Sequence, residues 1–360
     1  MSTITSTLWN IEPHTKAKHA ILKNYLNAWY PILNRFDKRL NYIDGFAGPG
    51  KYSDGEIGSP ILVLDLVKAH TRDLKGEFNF IFIEKDKERY EYLISEIKNR
   101  TYPDHFNIHI ANDEYDKYLT ELLNSLDKDG SSLAPTFAFI DPFGFKGIPF
   151  KLIKRLLAMP KVEVFITFMI DSINRFLEVE NVESTMTELF DSEDIISLIP
   201  KWKERRDEIR KFYQGKLSEN AKFVRYFLMS DEHSKPIYYL FFATNHPTGH
   251  MRMKEAMWKV DSGGSFRFSD ETDENQQMLF TDSHDEKLFN IIKSKFIKGK
   301  YKVVDLRLFV ENDTPYLVKH LKQALKYAEE NSFIKVDCIK SNKCKRRGKT
   351  FPDEVIIELN

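Results

Sequence analysis

The chain has 360 residues, 42% of them hydrophobic and 30% charged, and its 54 basic and 54 acidic residues leave no net charge. This composition is typical of a globular protein with one enlarged domain or two, and it excludes a disordered chain. No apolar run reaches the ~18 residues of a membrane span and the N-terminus lacks a signal-peptide pattern, so we expect a cytoplasmic protein that does not enter a membrane.

The first predicted elements are a helix, a strand and a glycine-rich turn. Apolar residues recur at helical spacing over His14–Trp29, with Pro31 interrupting the helix near its end, and Arg39–Ile43 is a short apolar strand. The strand ends in Asp44, and three glycines follow within six residues: Gly45, Gly48 and Gly50. Glycines let a backbone approach a ligand closely, so the turn indicates a cofactor site, with a plain structural turn as the alternative.

Strands and helices alternate after this turn. A helix is predicted from Gly58, with Ser59 as its cap and Pro60 at its first position. Further strands are predicted at Phe78–Glu84, Phe106–Asn112, Thr136–Ile140 and Val162–Ile170, and helices at Lys85–Arg100, Asp113–Leu126 and Phe150–Ala158. The alternation predicts right-handed βαβ units and a mostly parallel sheet covered on both faces, which is an α/β, Rossmann-like fold.

The next part of the chain predicts an insertion and a domain boundary. Residues 171–230 are charged and helical in pattern, and Pro236–Ala243 then restores a strand before a helix at Met251–Val260. A polar, glycine-containing stretch follows and ends in the acidic run Asp270–Gln277, which is typical of a linker. We therefore predict one domain over residues 1–280 and a second over 281–360.

Polar residues stand at the ends of the first four predicted strands and should meet at one edge of the sheet. They are Asp44, Glu84, the pair Asn112 and Asp113, and Asp141. In adenosyl-cofactor folds an acidic residue after the second strand binds the ribose hydroxyls, and a polar residue after the third contacts adenine, positions that Glu84 and Asp113 hold. The alternative is that strand ends are polar simply because they leave the core.

The spacing of these residues distinguishes two cofactors. A nicotinamide dehydrogenase has Gly-x-Gly-x-x-Gly after its first strand and its acidic ribose residue about 20 residues later. Here the glycines follow a different order, and Glu84 lies 40 residues after Asp44. This departure favours S-adenosylmethionine (SAM) and hence a class I SAM-dependent methyltransferase fold.

The fourth strand is followed by Asp141, Pro142, Phe143 and Gly144. This tetrapeptide resembles the Asp/Asn-Pro-Pro-aromatic motif of amino-group methyltransferases, in which two oxygen acceptors hold an exocyclic NH2 group and the ring stacks on the base. An aryl amine is a poor nucleophile, so such positioning toward the sulfonium methyl is what the chemistry needs. Phe143 replaces the second proline, as in the Asp-Pro-Phe-Gly motif of tRNA guanine-N2 dimethyltransferases. A structural turn is the alternative.

Several segments together resemble one protein family. Residues 13–22, the run Tyr42–Gly50, the tripeptide Gly58–Pro60 and the Asp-Pro-Phe-Gly motif are similar to three-Cys-motif partner proteins, which are methyltransferase-like and are named for association with a separate cysteine-motif protein. The FAGPG run is also similar to ribosomal RNA adenine-N6 methyltransferases, in which a Lys-His helix lies beside the SAM pocket. The implied cofactor residues are Lys18, His19, Asp44, Gly45, Phe46, Ala47, Gly48, Gly50, Glu84, Asn112 and Asp113.

The last 77 residues are basic, with 17 Lys and Arg against 11 Asp and Glu. Helices are predicted at Glu286–Ile297, at Val303–Val310 and, after Thr314 as cap, at Tyr316–Glu329; strands at Phe333–Cys338 and Glu354–Leu359 flank a basic loop. Three helices and a basic hairpin predict a winged helix. The candidate nucleic-acid contacts are Lys319, Lys322, Lys326, Lys345, Arg346, Arg347 and Lys349. Cys338 and Cys344, the only cysteines, predict free thiols and no metal site.

The leading functional hypothesis is a SAM-dependent methyltransferase acting on an exocyclic amine of a DNA or RNA base. Asp141 and the Pro142 carbonyl position the amine in this hypothesis, Phe143 stacks on the base, and the winged helix delivers the substrate. The alternative is a nucleic-acid-binding or partner-docking protein with a non-catalytic body. A third possibility is another SAM reaction in the same pocket, or service with a radical-SAM partner.

Overall fold

The computed structural model describes residues 7–70, 74–176, 183–199, 204–270, 284–337 and 349–360. The chain divides into two compact units, the first formed by Met1–Val260 with Arg267–Glu271 and the second by Asp261–Phe266 with Thr272–Asn360. The boundary predicted near residue 280 falls in 271–283, outside the described residues.

The first unit contains eight strands and ten helices among its described residues. The strands are β1 (Arg39–Asp44), β2 (Glu77–Ile83), β3 (Phe106–Ala111), β4 (Thr136–Ile140), β5 (Val162–Phe168), β6 (Phe223–Ser230), β7 (Pro236–Thr244) and β8 (Arg267–Ser269). The helices are α1 (Pro13–Leu33), α2 (Ser59–Lys68), α3 (Lys87–Lys98), α4 (Tyr115–Lys128), α5 (Phe150–Leu157), α6 (Ile170–Phe176), α7 (Glu183–Phe190), α8 (Ile195–Leu198), α9 (Arg205–Ser218) and α10 (Pro247–Val260).

One sheet runs through the first unit in the order β3-β2-β1-β4-β5-β7-β6-β8. Strands β1 to β5 are parallel to one another, whereas β7 runs antiparallel to both β5 and β6. The predicted α/β, Rossmann-like fold is confirmed. Strands β2 and β3 lie on one side of β1, and β4 and β5 lie on the other. The loops that follow β1 and β4 therefore diverge and leave a crevice at the carboxyl ends of these strands, which is where ligands bind in such sheets.

Strand β6 corrects the prediction that residues 171–230 are helical throughout. The sequence of β6 contains the charged residue Arg225, which interrupts the apolar pattern expected of a buried strand. In the fold Arg225 is buried and donates a hydrogen bond to His250 Nε2 at 2.8 Å, so the strand tolerates the guanidinium. Helix α1 was predicted to be interrupted at Pro31, but it continues to Leu33. Proline has no N–H to donate to the carbonyl four residues earlier, and that carbonyl, of Asn27, lies 3.2 Å from His70 Nε2 instead.

Helix α1 is fixed to the sheet by a buried carboxylate on β5. Glu163 accepts hydrogen bonds at 2.6 Å from the Tyr25 hydroxyl and the Trp29 indole, and at 2.7 Å from Thr244. Three donors satisfy the charge that burial would otherwise make costly, although burial still raises the pKa of Glu163. This anchor sets the position of α1, and its first turns therefore reach the carboxyl edge of the sheet.

The second unit consists of three helices and a three-stranded antiparallel sheet. Its elements are α11 (His284–Lys295), β9 (Gly299–Lys302), α12 (Val303–Asp313), α13 (Val318–Glu330), β10 (Ile334–Asp337) and β11 (Ile356–Leu359), with strand order β10-β11-β9. Strand β9 was not predicted. Thr314 was predicted to cap the third helix, but its hydroxyl donates to the Val310 carbonyl at 2.8 Å, and α13 begins only at Val318.

Among the described residues, no helix combines the length and apolar character needed to cross a membrane.

Candidate functional site

A cavity of about 1340 Å³ opens at the carboxyl ends of the parallel strands. Nearly all of the predicted site residues of the first unit line it: Lys18, His19, Gly45, Phe46, Ala47, Gly48, Gly50, Glu84, Asp113, Asp141, Pro142, Phe143 and Gly144. They come from α1 and from the loops after β1, β2, β3 and β4. The fold thus brings together residues that are up to 126 positions apart in the sequence.

The glycines of the turn after β1 stand at positions that do not accept side chains. Gly48 and Gly50 have φ of +64° and +76°, in the left-handed region that favours glycine. A Cβ atom on Gly45 would lie 2.5 Å from the Tyr115 ring, and one on Gly50 would lie 2.6 Å from Leu93. Gly45 and Gly50 therefore let buried side chains pack against the turn, and all three glycines also line the cavity.

Glu84 joins the end of β2 to this turn. One carboxylate oxygen accepts a hydrogen bond from the Gly48 amide at 2.8 Å, and the other accepts one from the Asp86 amide at 2.7 Å. Burial raises the pKa of Glu84, and the two amide hydrogen bonds oppose that change. A carboxylate has about four acceptor positions, so Glu84 keeps capacity for hydroxyl donors from a ligand.

Two predicted cofactor residues do not line the cavity. Asp44 is fully buried, and its carboxylate accepts hydrogen bonds from the Phe46 amide at 3.2 Å and the Ser59 hydroxyl at 2.6 Å. Ser59 was predicted as a helix cap and has this role instead. The Asn112 amide donates to the carbonyls of Glu84 and Lys85. Asp44 and Asn112 thus position the turns around the cavity, and their direct contact with a cofactor stays a prediction.

Asp44 should make stability depend on pH. Burial raises the pKa of Asp44 from 3.8 to about 7, although the hydrogen bond from Ser59 lowers it in part. Between about pH 4 and 7 the unfolded chain ionises at this residue while the folded chain keeps the proton, so the free energy of unfolding should fall as pH rises and level off above 7. Urea unfolding should show this loss, of order a few kcal/mol, relative to Asp44→Asn. A difference between the two proteins that stays constant with pH would contradict it.

The Asp-Pro-Phe-Gly segment faces the cavity from the opposite side. Lys18 on α1 donates to both carboxylate oxygens of Asp141, at 2.7 and 2.5 Å, and its side chain is buried whereas that of Asp141 is one-fifth exposed. Phe143 is 48% exposed, which leaves its ring free to stack on a planar group. Asp141 is held by Lys18 yet open to the cavity, so a donor in the cavity can reach it.

His19 is the second predicted residue of α1. It is buried beside Tyr52, with ring centres 6.1 Å apart. Burial, and next the charge of Lys18, lower the pKa of His19 to about 4. The imidazole is therefore neutral near pH 7 and adds no positive charge to the cavity.

Sequence reasoning missed several residues that the fold places in the cavity. Thr167, near the end of β5, is buried, and its hydroxyl has no hydrogen-bond partner in the described part of the chain. Trp9 and Arg89 approach Phe143, and His14 lies between the carboxylates of Glu12 and Asp270. Apart from His14, which lies in the run 13–22, none of them belongs to a segment that resembles a known family. No sequence pattern could have predicted that the Thr167 hydroxyl lacks a hydrogen-bond partner, because this depends on which residues surround Thr167 in the fold.

The candidate basic residues of the second unit are only partly described. Lys319, Lys322 and Lys326 are exposed on α13 at spacings that place them on one helix face. Lys349 forms an ion pair with Glu330 at 2.5 Å, which neutralises its charge. Lys345, Arg346 and Arg347 lie outside the described residues.

No family model and no curated protein matches this chain. Solved structures with a similar fold include a Legionella pneumophila protein of the family model DUF519, at 13% identity and a TM-score of 0.41, covering 68% of this chain and 90% of the other. An O-methyltransferase from Bacillus cereus in complex with SAH has 13% identity and a TM-score of 0.35, covering 65% and 82%. The plantazolicin methyltransferase BpumL in complex with SAH has 11% identity and a TM-score of 0.32, covering 64% and 86%. At these values the likenesses assign no activity.

Proposed function

We propose that this chain is a SAM-dependent methyltransferase that acts on an exocyclic amine of a nucleic-acid base. The observation that carries the proposal is the meeting of the glycine turn, Glu84 and the Asp-Pro-Phe-Gly segment in one cavity. The cavity of about 1340 Å³ exceeds the ~300–1,000 Å³ of common small-molecule sites, so an acceptor group has room beside a cofactor.

The residues present fit SAM. The glycine turn lines the cavity, Glu84 is a carboxylate for ribose hydroxyls, and the Thr167 hydroxyl has no hydrogen-bond partner among the described residues. When bound, SAM supplies a sulfonium methyl group. Asp113, the residue predicted to contact adenine, also lines the cavity next to α4.

Asp141 and Pro142 would hold the acceptor amine. The carboxylate retains acceptor positions beyond the two taken by Lys18, so it can accept a hydrogen bond from an NH2 group without losing the ion pair. The Pro142 carbonyl is the second acceptor, and Phe143 provides an exposed ring for the base. Holding the amine in this way aligns its lone pair with the methyl group, which is the main contribution a protein can make to such a transfer.

The second unit supplies the nucleic-acid part of the proposal. Three helices with a three-stranded antiparallel sheet suit a winged helix, and the lysine face of α13 suits phosphate contacts. Duplex substrate would need base flipping, at a cost of a few kcal/mol. Association with a cysteine-motif protein rests on the sequence resemblance alone.

Calorimetric titration of the full chain with SAM tests the cofactor, and transfer of a labelled methyl group to DNA and RNA tests the reaction. We expect SAM binding at tens of micromolar protein and transfer to one nucleic acid. Absence of SAM binding would refute the methyltransferase and leave the non-catalytic alternative. Binding without transfer to either polymer would refute the substrate class.

A further inference from the structure

A cation lies beside Phe143, the ring on which the acceptor base would stack. The Arg89 guanidinium carbon lies 5.5 Å from the centre of the Phe143 ring and 4.9 Å from that of Trp9. The two rings meet edge to face, with centres 5.0 Å apart and planes at 79°. Both cation distances are within the ~6 Å at which a guanidinium is attracted to an aromatic face. The rings therefore fix the position of Arg89 relative to the Asp-Pro-Phe-Gly segment.

Trp9 is itself held in place by the segment that precedes α1. The Ser53 amide donates to the Trp9 carbonyl at 2.9 Å, so the segment is joined to the loop after β1. The Thr7 hydroxyl donates to Glu88 on α3 at 2.9 Å, which joins the segment to the helix that carries Arg89. These contacts set the position of the Trp9 ring, and they thereby restrict the conformations open to the Arg89 side chain.

The chemistry of a guanidinium in this position suits a phosphate. Ring contact uses the faces of the group, whereas its five N–H donors lie in its plane and form a fork that matches two phosphate oxygens. In a nucleic acid each base is joined to its phosphates through a single sugar. A base that stacks on Phe143 therefore brings backbone phosphates to the part of the cavity where Arg89 lies.

Two further cations line the cavity without a carboxylate partner. Lys18, Lys85 and Arg175 line it, and each forms an ion pair at 3.2 Å or less. Lys51 and Lys146 also line it, and neither forms an ion pair with any described residue. These two ammonium groups can therefore pair with anionic groups of a ligand.

We propose that Arg89 binds a backbone phosphate next to the target base, so that the acceptor site selects a base within a nucleic-acid strand over a free nucleobase. This inference rests on the proposed function. Lys51 and Lys146 add positive charge for neighbouring phosphates. Part of the nucleic-acid binding then belongs to the first unit, where the phosphate contact holds the strand in register with the reacting amine.

Methyl transfer from saturating labelled SAM to random-sequence single strands of roughly twelve nucleotides, one of DNA and one of RNA, tests the proposal in the wild-type chain and Arg89→Met. The KM for the methylated strand should rise about tenfold, because a charge-assisted hydrogen bond is lost. The kcat should change less than about twofold, because Arg89 does not contact the reacting atoms. Between about 50 and 200 mM salt, the slope of log(kcat/KM) against log salt should become shallower by about 0.7, the value for one phosphate contact on a single strand.

Two variants serve as controls. Arg89→Lys keeps the charge, so it should keep the wild-type salt slope with a smaller rise in KM. Arg35→Met removes the same charge from an exposed arginine that does not line the cavity, and it should change neither quantity. Thermal unfolding of each variant checks that the fold is retained.

The possible failures separate the phosphate contact from the proposed function. A wild-type salt slope in Arg89→Met would overturn the phosphate contact and reduce Arg89 to a support for the two rings. A Kd for SAM that rises as much as the KM would assign Arg89 to the cofactor instead. The proposed function stands in both cases. A wild-type chain that binds SAM but methylates neither strand would refute the proposed substrate class, and this inference with it.

Discussion

Replacing Asp141 by alanine should reduce methyl transfer to nucleic acid at least about a hundredfold while SAM binding stays within a few-fold of wild type. Removal of one well-placed hydrogen-bonding group from a reaction centre typically costs 10²–10³ in rate, and Asp141 is the only carboxylate in the Asp-Pro-Phe-Gly segment. The loss should appear in kcat, measured with labelled SAM at saturation. Asp141→Asn retains an acceptor oxygen and should keep more activity than Asp141→Ala.

The ion pair with Lys18 requires a specific control. Asp141→Ala leaves a buried ammonium without its partner, and that alone can destabilise a protein by several kcal/mol. The double variant Asp141→Ala with Lys18→Met removes both charges and should recover stability in urea unfolding without recovering transfer. Recovery of transfer in the double variant, or unchanged transfer in Asp141→Ala, would show that Asp141 does not position the acceptor.

Replacing Glu84 by alanine should weaken SAM binding by about tenfold to a hundredfold. Hydrogen bonds to a charged group are worth about 1.5–3 kcal/mol, and the variant loses those to the cofactor as well as those from the amides of Gly48 and Asp86. The glycine turn then loses its link to β2, so the free energy of unfolding should also fall. Calorimetry gives the affinity and urea unfolding gives the stability.

Glu91→Ala is the matched control, because Glu91 is an exposed carboxylate on α3 whose ion-pair distance to Lys87 is 3.9 Å. It should leave both quantities almost unchanged. Glu84→Gln keeps a single acceptor oxygen and should fall between wild type and alanine. A Kd for SAM that is the same in Glu84→Ala and wild type would remove Glu84 from the cofactor site.

The strands, most of the helices and the position of the cavity were predictable because each depends on local pattern. Apolar runs of strand length alternate with amphipathic stretches, and this predicts a parallel sheet whose carboxyl ends meet. Strands β6, β8 and β9 are exceptions that were missed, because their sequences lack such a pattern. Arg225 breaks the apolar pattern of β6, and only its buried bond to His250 makes the strand possible.

The sequence by itself determined the α/β order of the first unit, the glycines of the turn and the identity of the residues that end the strands. Only the tertiary structure decided that Asp44 is buried against Ser59, that Lys18 pairs with Asp141 across 123 residues, and that Trp9 meets Phe143. The physical reason is the sequence distance over which each interaction acts. Backbone propensities and turn geometry act within a few residues, whereas ion pairs and ring contacts depend on which distant segments the sheet brings together.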